Sequence, residues 1–208
     1  MELSNRINMT PTHLIIFVKN RIPGQTKTRL AASLGHEAAL QVYDQLLAHT
    51  HAVTAPLPCS KWVFFSDYLE EEGLWERGYR LEVQQGGDLG ERMYRAFEHC
   101  FSEGAQRVCI IGSDCFELEI HHLQQAFEAL KQQDVVLGPA ADGGYYLLGL
   151  QEQQPELFHN KVWSTPDVLA DALQDCRGLG LSVHQLPLLH DLDDLQDYKR
   201  YQQRLQKS

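Results

Sequence analysis

Apolar runs of strand length alternate with helical patterns along most of this chain. The predicted strands lie at 14–18, 61–65, 79–83, 107–111, 134–137, 145–150 and 181–186. The predicted helices lie at 27–50, 70–76, 89–101, 120–132, 166–175 and 193–205. In the first helix, apolar residues such as Leu30, Leu34 and Ala38 recur at helical spacing. Strands that alternate with helices in this way predict an α/β layer fold with a mainly parallel sheet.

In sheets of this kind, ligands bind in the loops that follow the carboxyl ends of the strands. We therefore look for a site in the segments after residues 18, 83, 111 and 138. Three of these segments are the unusual parts of the sequence.

Length and composition favour a single domain. The chain has 208 residues, of which 43% are hydrophobic, and this is enough to build a full core. No repeat and no long linker divides it. We expect a disordered N-terminal tail at 1–12 and one domain at 13–208.

The balance of charge restricts the partners. The formal net charge is −10, which argues against a broad nucleic-acid surface but leaves room for a small anionic ligand in a local basic patch. No apolar run approaches the length of a membrane span. The five cysteines show no metal-ligand spacing, and the N-terminal stretch lacks the apolar centre of a signal peptide. We expect reduced thiols and a cytoplasmic protein.

The loop after the first strand is basic. Lys19, Arg21, Lys27 and Arg29 lie within eleven residues that contain Gly24 and no acid. A glycine-containing basic loop between a strand and a helix favours phosphate binding, because backbone N–H groups and cations can converge there. The spacing is not that of a Walker A motif. A solvated basic turn is the alternative.

Two further loops contain acidic residues, and in each loop these residues could have either a structural or a ligand-binding role. In the segment 86–93, Asp88 and Glu91 have the spacing of a capping box, but the run of glycines also suits a ligand loop. Asp114 directly follows the strand at 107–111, where a carboxylate next to bound phosphates would hold a divalent cation. A simple helix cap by Ser113 or Asp114 is the alternative. Cys115 is a weak candidate nucleophile, because the sequence places no base beside it.

The remaining acids lie later in the chain. Asp142 stands in an Asp-Gly-Gly segment that would let the backbone approach a ligand closely, or would serve as a plain turn. Asp191 and Asp193 alternate as on the end of a strand, so either could be a second metal ligand, and Asp193 could instead cap the last helix.

These motifs together resemble those of the bacterial DUF2064 family of candidate glycosyltransferases. Their order is K-N-x-x-P-G-x-x-K-T-R-L, Q-x-G-G-D-L-G-E-R-M, I-G-S-D-C, G-P-A-x-D-G-G-Y-Y-L-L-G-L, W-S-T and a terminal D-x-D. The resemblance covers nearly all of residues 14–198. It implies a three-layer α/β/α, Rossmann-like GT-A fold of the nucleotide-diphospho-sugar transferases. The motifs are more distantly similar to those of molybdopterin-guanylyl and phospholactate-guanylyl transferases.

The resemblance also implies roles for individual residues. The nucleotide would be held by Lys19, Gly24, Lys27, Arg29, Gln84, Gly87 and Asp88. The metal, Mg²⁺ or Mn²⁺, would be held by Asp114 and Asp193. The acceptor or sugar would be held by Asp142, Gly143, Gly144 and Trp163. Lys27, Arg29 and Asp142 would be the catalytic groups.

Three functions follow from these expectations. The first is a metal-dependent glycosyltransferase, in which a small-molecule acceptor attacks the sugar of a nucleotide sugar. The second is a nucleotidyltransferase, in which a phosphorylated small molecule attacks the α-phosphorus of a nucleoside triphosphate. The third is a binding module without turnover. The sequence alone does not separate the first two, and the oligomeric state is left open.

Overall fold

The computed structural model describes residues 12–70 and 72–205, and one seven-stranded sheet runs through them. The strands are β1 (Thr12–Val18), β2 (Ser60–Phe65), β3 (Arg80–Val83), β4 (Arg107–Ile111), β5 (Val135–Pro139), β6 (Tyr145–Leu150) and β7 (Val183–Gln185). The helices are α1 (Thr28–Leu34), α2 (His36–Thr54), α3 (Leu89–Ser102), α4 (Ile120–Ala129), α5 (Val168–Leu179) and α6 (Leu195–Leu205), with a 3₁₀ turn at Pro155–Leu157. The predicted tail at 1–12 lies outside the described residues, except for Thr12.

The sheet is mixed and mainly parallel, as the alternation of elements predicts. The strand order is β3-β2-β1-β4-β6-β5-β7. Only β6 runs against its neighbours β4 and β5, while the other paired strands are parallel. The carboxyl ends of the parallel strands therefore meet at one edge of the sheet, which is the edge where ligands bind in open α/β folds.

Helices cover both faces of the sheet, so the predicted three-layer fold is confirmed. Along β1, Leu14 and Ile16 face a core shared with α2 and α4, while Ile15 faces a second core shared with α3 and α5. Both faces of the sheet are buried, and this explains why its strands read as continuous apolar runs. A third cluster joins α1, α2 and Leu192, which precedes α6.

Two predicted helices differ from the structure. The helix expected at 27–50 is divided at Gly35, whose φ of 86° ends α1 before α2 begins. The acidic helix expected at 70–76 is a series of turns in the described residues, and these turns bury Trp75 in the core. Packing of this aromatic side chain outweighed a weak local helix preference.

Each helix among residues 12–70 and 72–205 is too short or too polar to span a lipid bilayer.

Candidate active site

The candidate site lies at the carboxyl edge of the sheet, between the loop after β1 and the loop after β4. These two strands are neighbours, so their loops emerge side by side. The segment before α6 joins them, because the Leu192 N–H donates to the Asp114 carbonyl at 2.8 Å. The Cys115 thiol also donates to the His190 carbonyl at 3.5 Å. The backbone thus brings Asp191 and Asp193 beside Asp114.

Lys27 is the buried cation of this site. Its ammonium lies 2.8 Å from Asp114 Oδ1 and 3.2 Å from Asp193 Oδ1, and donates to the Leu192 carbonyl at 2.5 Å. The side chain is only 5% exposed. Burial by itself would lower the pKa of Lys27, but the two carboxylates outweigh burial and raise it. Lys27 is therefore charged, and it contacts both carboxylates that the resemblance assigns to the metal.

The other cations of the basic loop lie on the surface. Arg29 is 77% exposed and its Nη2 is 3.8 Å from Asp193 Oδ2. The Lys19 side chain is exposed, and so is Gly24. Arg21 turns to α2, where its guanidinium pairs with Asp44 at 2.8 Å. Of the four cations, Lys19 and Arg29 therefore have exposed side chains that a ligand phosphate could reach.

Tyr43 holds the loop after β1 in place, and sequence reasoning missed it. Its hydroxyl accepts from the Lys19 N–H at 2.8 Å, donates to the Lys19 carbonyl at 2.9 Å, and lies 3.4 Å from Ser113 Oγ. Burial and the charge of Asp114 raise the pKa of this phenol, which stays neutral. The signal in the sequence was a hydroxyl on the buried face of α2.

Asn20 links the loop after β1 to the loop after β2, and sequence reasoning did not single out this residue. Its amide donates to the Tyr68 carbonyl and to Glu70, and its Oδ1 accepts from the N–H groups of Asp67 and Tyr68. Because every polar atom of this buried side chain has a partner, Asn20 fixes the course of the backbone on both sides of the site.

A third carboxylate, Asp191, lies near the two that contact the buried ammonium. The half-buried Asp191 carboxylate makes no hydrogen bond or ion pair with another described residue. Its pKa is raised to about 7, first by burial and then by the charges of Asp114, Asp142 and Asp193, against which Lys27 acts. Asp191 is thus the carboxylate whose charge lacks a contact partner, whereas Asp193 is paired with Lys27.

A divalent cation fits this donor set only with help from a ligand. No group of three or more His, Cys, Asp or Glu side chains among the described residues is arranged to hold a metal by itself. Mg²⁺ commonly takes one or two carboxylates and completes its shell with substrate phosphates and water. Asp114 and Asp191 could supply those carboxylates. Asp114 contacts Lys27 through Oδ1, whereas both oxygens of Asp193 lie near cations, Oδ1 near Lys27 and Oδ2 near Arg29.

The residues assigned to the second nucleotide loop have structural partners. Gln84 donates its amide to the carbonyls of Val18 and Phe64, at 3.3 and 2.9 Å. Asp88 caps α3 by accepting from the Glu91 N–H at 2.8 Å, and Glu91 accepts from the Gly87 N–H at 2.8 Å. Asp88 is therefore the N-cap that the spacing predicts, but Glu91 reaches back to the N–H of Gly87 rather than to that of Asp88, as a capping box would require.

The residues assigned to the acceptor divide into two places. Asp142 is exposed and accepts from the Gly144 N–H at 2.9 Å. Its charge also acts on Asp191, which forms an acidic cluster with Asp114 and Asp193. Gly143 has a φ of 92°, and a Cβ there would lie 2.1 Å from the Pro166 carbonyl oxygen. Its close approach is therefore to the chain itself. Trp163 packs with α3, where a Cβ on Gly90 would lie 2.4 Å from its Nε1.

Cys115 does not have the environment of a nucleophile. Its thiol is buried, and burial followed by the charge of Asp191 raises its pKa, so the reactive thiolate is disfavoured.

Comparison with solved structures identifies the fold. A candidate nucleotide-diphospho-sugar transferase from Desulfovibrio desulfuricans G20 superposes with a TM-score of 0.89 at 30% identity, over 96% of this chain and 90% of that one. The inositol-1-phosphate CTP transferase of T. maritima matches with a TM-score of 0.59 at 13% identity, over 91% and 93%. Rv0371c of Mycobacterium tuberculosis H37Rv, in a complex with manganese, matches with 0.55 at 11%, over 92% and 97%. None of the curated proteins matches this sequence.

The sequence also matches a family model. Residues 49–165, more than half of the chain, match the model described as "Uncharacterized protein conserved in bacteria (DUF2064)". The matched residues contain the motifs that run from Gln84 to Thr165. The chain is therefore a member of the DUF2064 family, with the fold of the nucleotide-diphospho-sugar transferases.

Proposed function

We propose that this protein is a metal-dependent transferase that uses a nucleotide-activated donor, and that it transfers the glycosyl group of a nucleotide sugar to a small-molecule acceptor. The observation that carries the proposal is the juxtaposition of a cationic loop and an acidic cluster at the carboxyl edge of the sheet. A diphosphate with its divalent cation requires both charges in one place.

The phosphates would be bound by the exposed cations Arg29 and Lys19 together with the backbone near Gly24. Asp114 with Asp191 or Asp193 would hold Mg²⁺ or Mn²⁺, which when bound neutralises charge on the departing diphosphate. The manganese complex of the structural neighbour Rv0371c supports a divalent cation in this fold. The nucleoside would lie against the loop formed by Gln84, Gly87 and Asp88, and would contact its backbone.

Transfer would proceed by attack of an acceptor hydroxyl on the anomeric carbon. The new carbon–oxygen bond forms as the bond from that carbon to the diphosphate oxygen breaks, and the nucleoside diphosphate leaves. Asp142 is exposed beside the acidic cluster and would take the proton of the acceptor. The acceptor would bind against a wall formed by Gly143, Gly144 and Trp163, next to the start of α5.

The availability of cations favours glycosyl transfer. Lys27 is bound to two carboxylates and Arg21 to Asp44, which leaves two of the four loop cations for phosphates. This number suits a diphosphate better than a triphosphate. Nucleotidyl transfer to a phosphorylated small molecule is the second candidate, because the inositol-1-phosphate CTP transferase shares the fold over most of its length.

Product analysis tests the proposal. The protein is incubated with nucleotide sugars or nucleoside triphosphates, Mn²⁺ or Mg²⁺, and a mixture of bacterial metabolites as acceptors. Release of a nucleoside diphosphate supports glycosyl transfer, and release of pyrophosphate supports nucleotidyl transfer. Asp114→Asn should lower the rate at least a hundredfold, as expected when a metal carboxylate is lost. Binding of nucleotides without any metal-dependent turnover would favour the binding-module alternative.

A further inference from the structure

Lys27 occupies a place that its position in a basic phosphate loop does not predict. An ammonium group has three protons to donate, and here each has an acceptor: Asp114, Asp193 and the Leu192 carbonyl. With 5% of the side chain exposed, no proton of this ammonium is free for a phosphate oxygen. Its backbone φ of 52° places it at the left-handed start of α1, and its side chain is buried there.

We propose that Lys27 is an internal counter-ion of the acidic cluster that remains on Asp114 and Asp193 and weakens the binding of free metal, rather than a phosphate ligand. The inference rests on the proposed function, because it concerns how the same site receives its cation.

The charges support this assignment. Without Lys27, Asp114 and Asp193 would face each other and Asp191 with no buried cation among them. A fixed positive charge about 3 Å from Asp114 repels any second cation that binds the same carboxylate. Free metal therefore binds weakly, and the phosphates of a nucleotide, held by Arg29 and Lys19, would supply the missing negative charge.

Removal of the buried charge is the central experiment. Met has a side chain of similar length and tolerates the same backbone as Lys, so Lys27→Met removes the charge with little change of shape. Mn²⁺ alone, titrated by electron paramagnetic resonance, should bind Lys27→Met at least tenfold more tightly than wild type. Lys27→Arg keeps the positive charge, and its affinity for Mn²⁺ should stay within threefold of the wild-type value.

Inorganic pyrophosphate without metal tests the second half of the inference. Arg29→Met should weaken its binding at least tenfold, whereas Lys27→Met should change it less than threefold. An equal loss in both variants would show that Lys27 contacts phosphate, and would overturn the inference while leaving the proposed function intact. Unchanged or weaker Mn²⁺ binding by Lys27→Met would overturn it as well.

Stability measurements need no ligand and keep the inference testable in every case. Lys27→Met should raise the equilibrium constant for urea unfolding at least tenfold, since it leaves carboxylates without their buried partner. Adding Asp193→Asn should recover most of that loss. Arg21→Met is the matched control in the same loop, because its exposed pair with Asp44 should contribute little. No recovery in the double variant overturns the counter-ion role. Wild type that binds neither Mn²⁺ nor pyrophosphate instead overturns the proposed function.

Discussion

At the scale of single residues, Asp191 shows how neighbours determine the chemistry of a carboxylate. Its surroundings contain the charges of Asp114, Asp142, Asp193 and Lys27, and burial adds to the repulsion among the acids. An aspartate whose pKa rises to about 7 holds a proton in the folded protein under conditions where the unfolded chain has lost it. Folding therefore favours the acid form of Asp191.

This shift has a defined effect on stability. Between about pH 4 and pH 7, the folded state binds a proton at Asp191 that the unfolded state has released, so this residue lowers the free energy of unfolding as the pH rises. Asp191→Asn cannot ionise. We expect it to become progressively more stable than wild type from about pH 4 to pH 8, with no further gain above. Urea unfolding at each pH measures this, with the exposed Asp167→Asn as control. A stability difference that does not vary with pH would contradict the shift.

At the scale of elements, the packing of the loop after β5 against the start of α5 depends on one close contact. The loop after β5 passes so near to Pro166 that only a glycine fits at position 143. The Gly143 carbonyl also accepts from the Leu169 N–H at 3.0 Å in the first turn of α5. The Asp-Gly-Gly segment therefore joins the loop after β5 to the start of α5, and the same glycine that suggested access for a ligand serves the fold.

Two glycine substitutions separate this effect from helix propensity. Gly143→Ala should destabilise the protein by about 2–4 kcal/mol, because its Cβ would overlap the Pro166 carbonyl and its φ is positive. Gly178→Ala lies within α5 with nothing within 4 Å of the added Cβ, and should stabilise by about 1 kcal/mol. Denaturant unfolding compares the two variants. Equal effects would show that the contact with Pro166 is not required.

At the scale of the whole molecule, the site joins distant parts of the chain across the sheet. Lys27 and Leu192 are far apart in sequence, yet a hydrogen bond between them links the loop after β1 to the segment before α6. A ligand that contacts both sides binds only the folded protein. Its binding free energy is therefore added to the stability of the whole domain.

A thermal-shift experiment measures this coupling. Pyrophosphate with Mn²⁺ at about a hundred times the dissociation constant should stabilise the fold by about 2.7 kcal/mol. For a domain of this size, that corresponds to about 5–11 °C in Tm. Asp114→Asn should lose the part of the shift that depends on Mn²⁺ and keep the part caused by pyrophosphate alone. A full shift in Asp114→Asn would remove this carboxylate from the metal site.

Local pattern was sufficient for the architecture. The buried strands at 14–18 and 107–111 are continuous apolar runs because both of their faces are covered, and such runs are visible without a structure. The same pattern located the loops after β1, β4 and β5, since the carboxyl ends of parallel strands share an edge. Boundaries that depended on packing, such as the turns around Trp75, were predicted wrongly.

The sequence by itself thus determined the order of elements, the edge of the sheet and the set of charged residues available there. Only the tertiary structure decided how those charges pair: that Lys27 is buried on Asp114 and Asp193, that Arg21 turns to Asp44, and that Tyr43 supports the loop. The physical reason is range. Periodicity reports on neighbours along the chain, whereas the energy of an ion depends on every charge near it in space and on its distance from water.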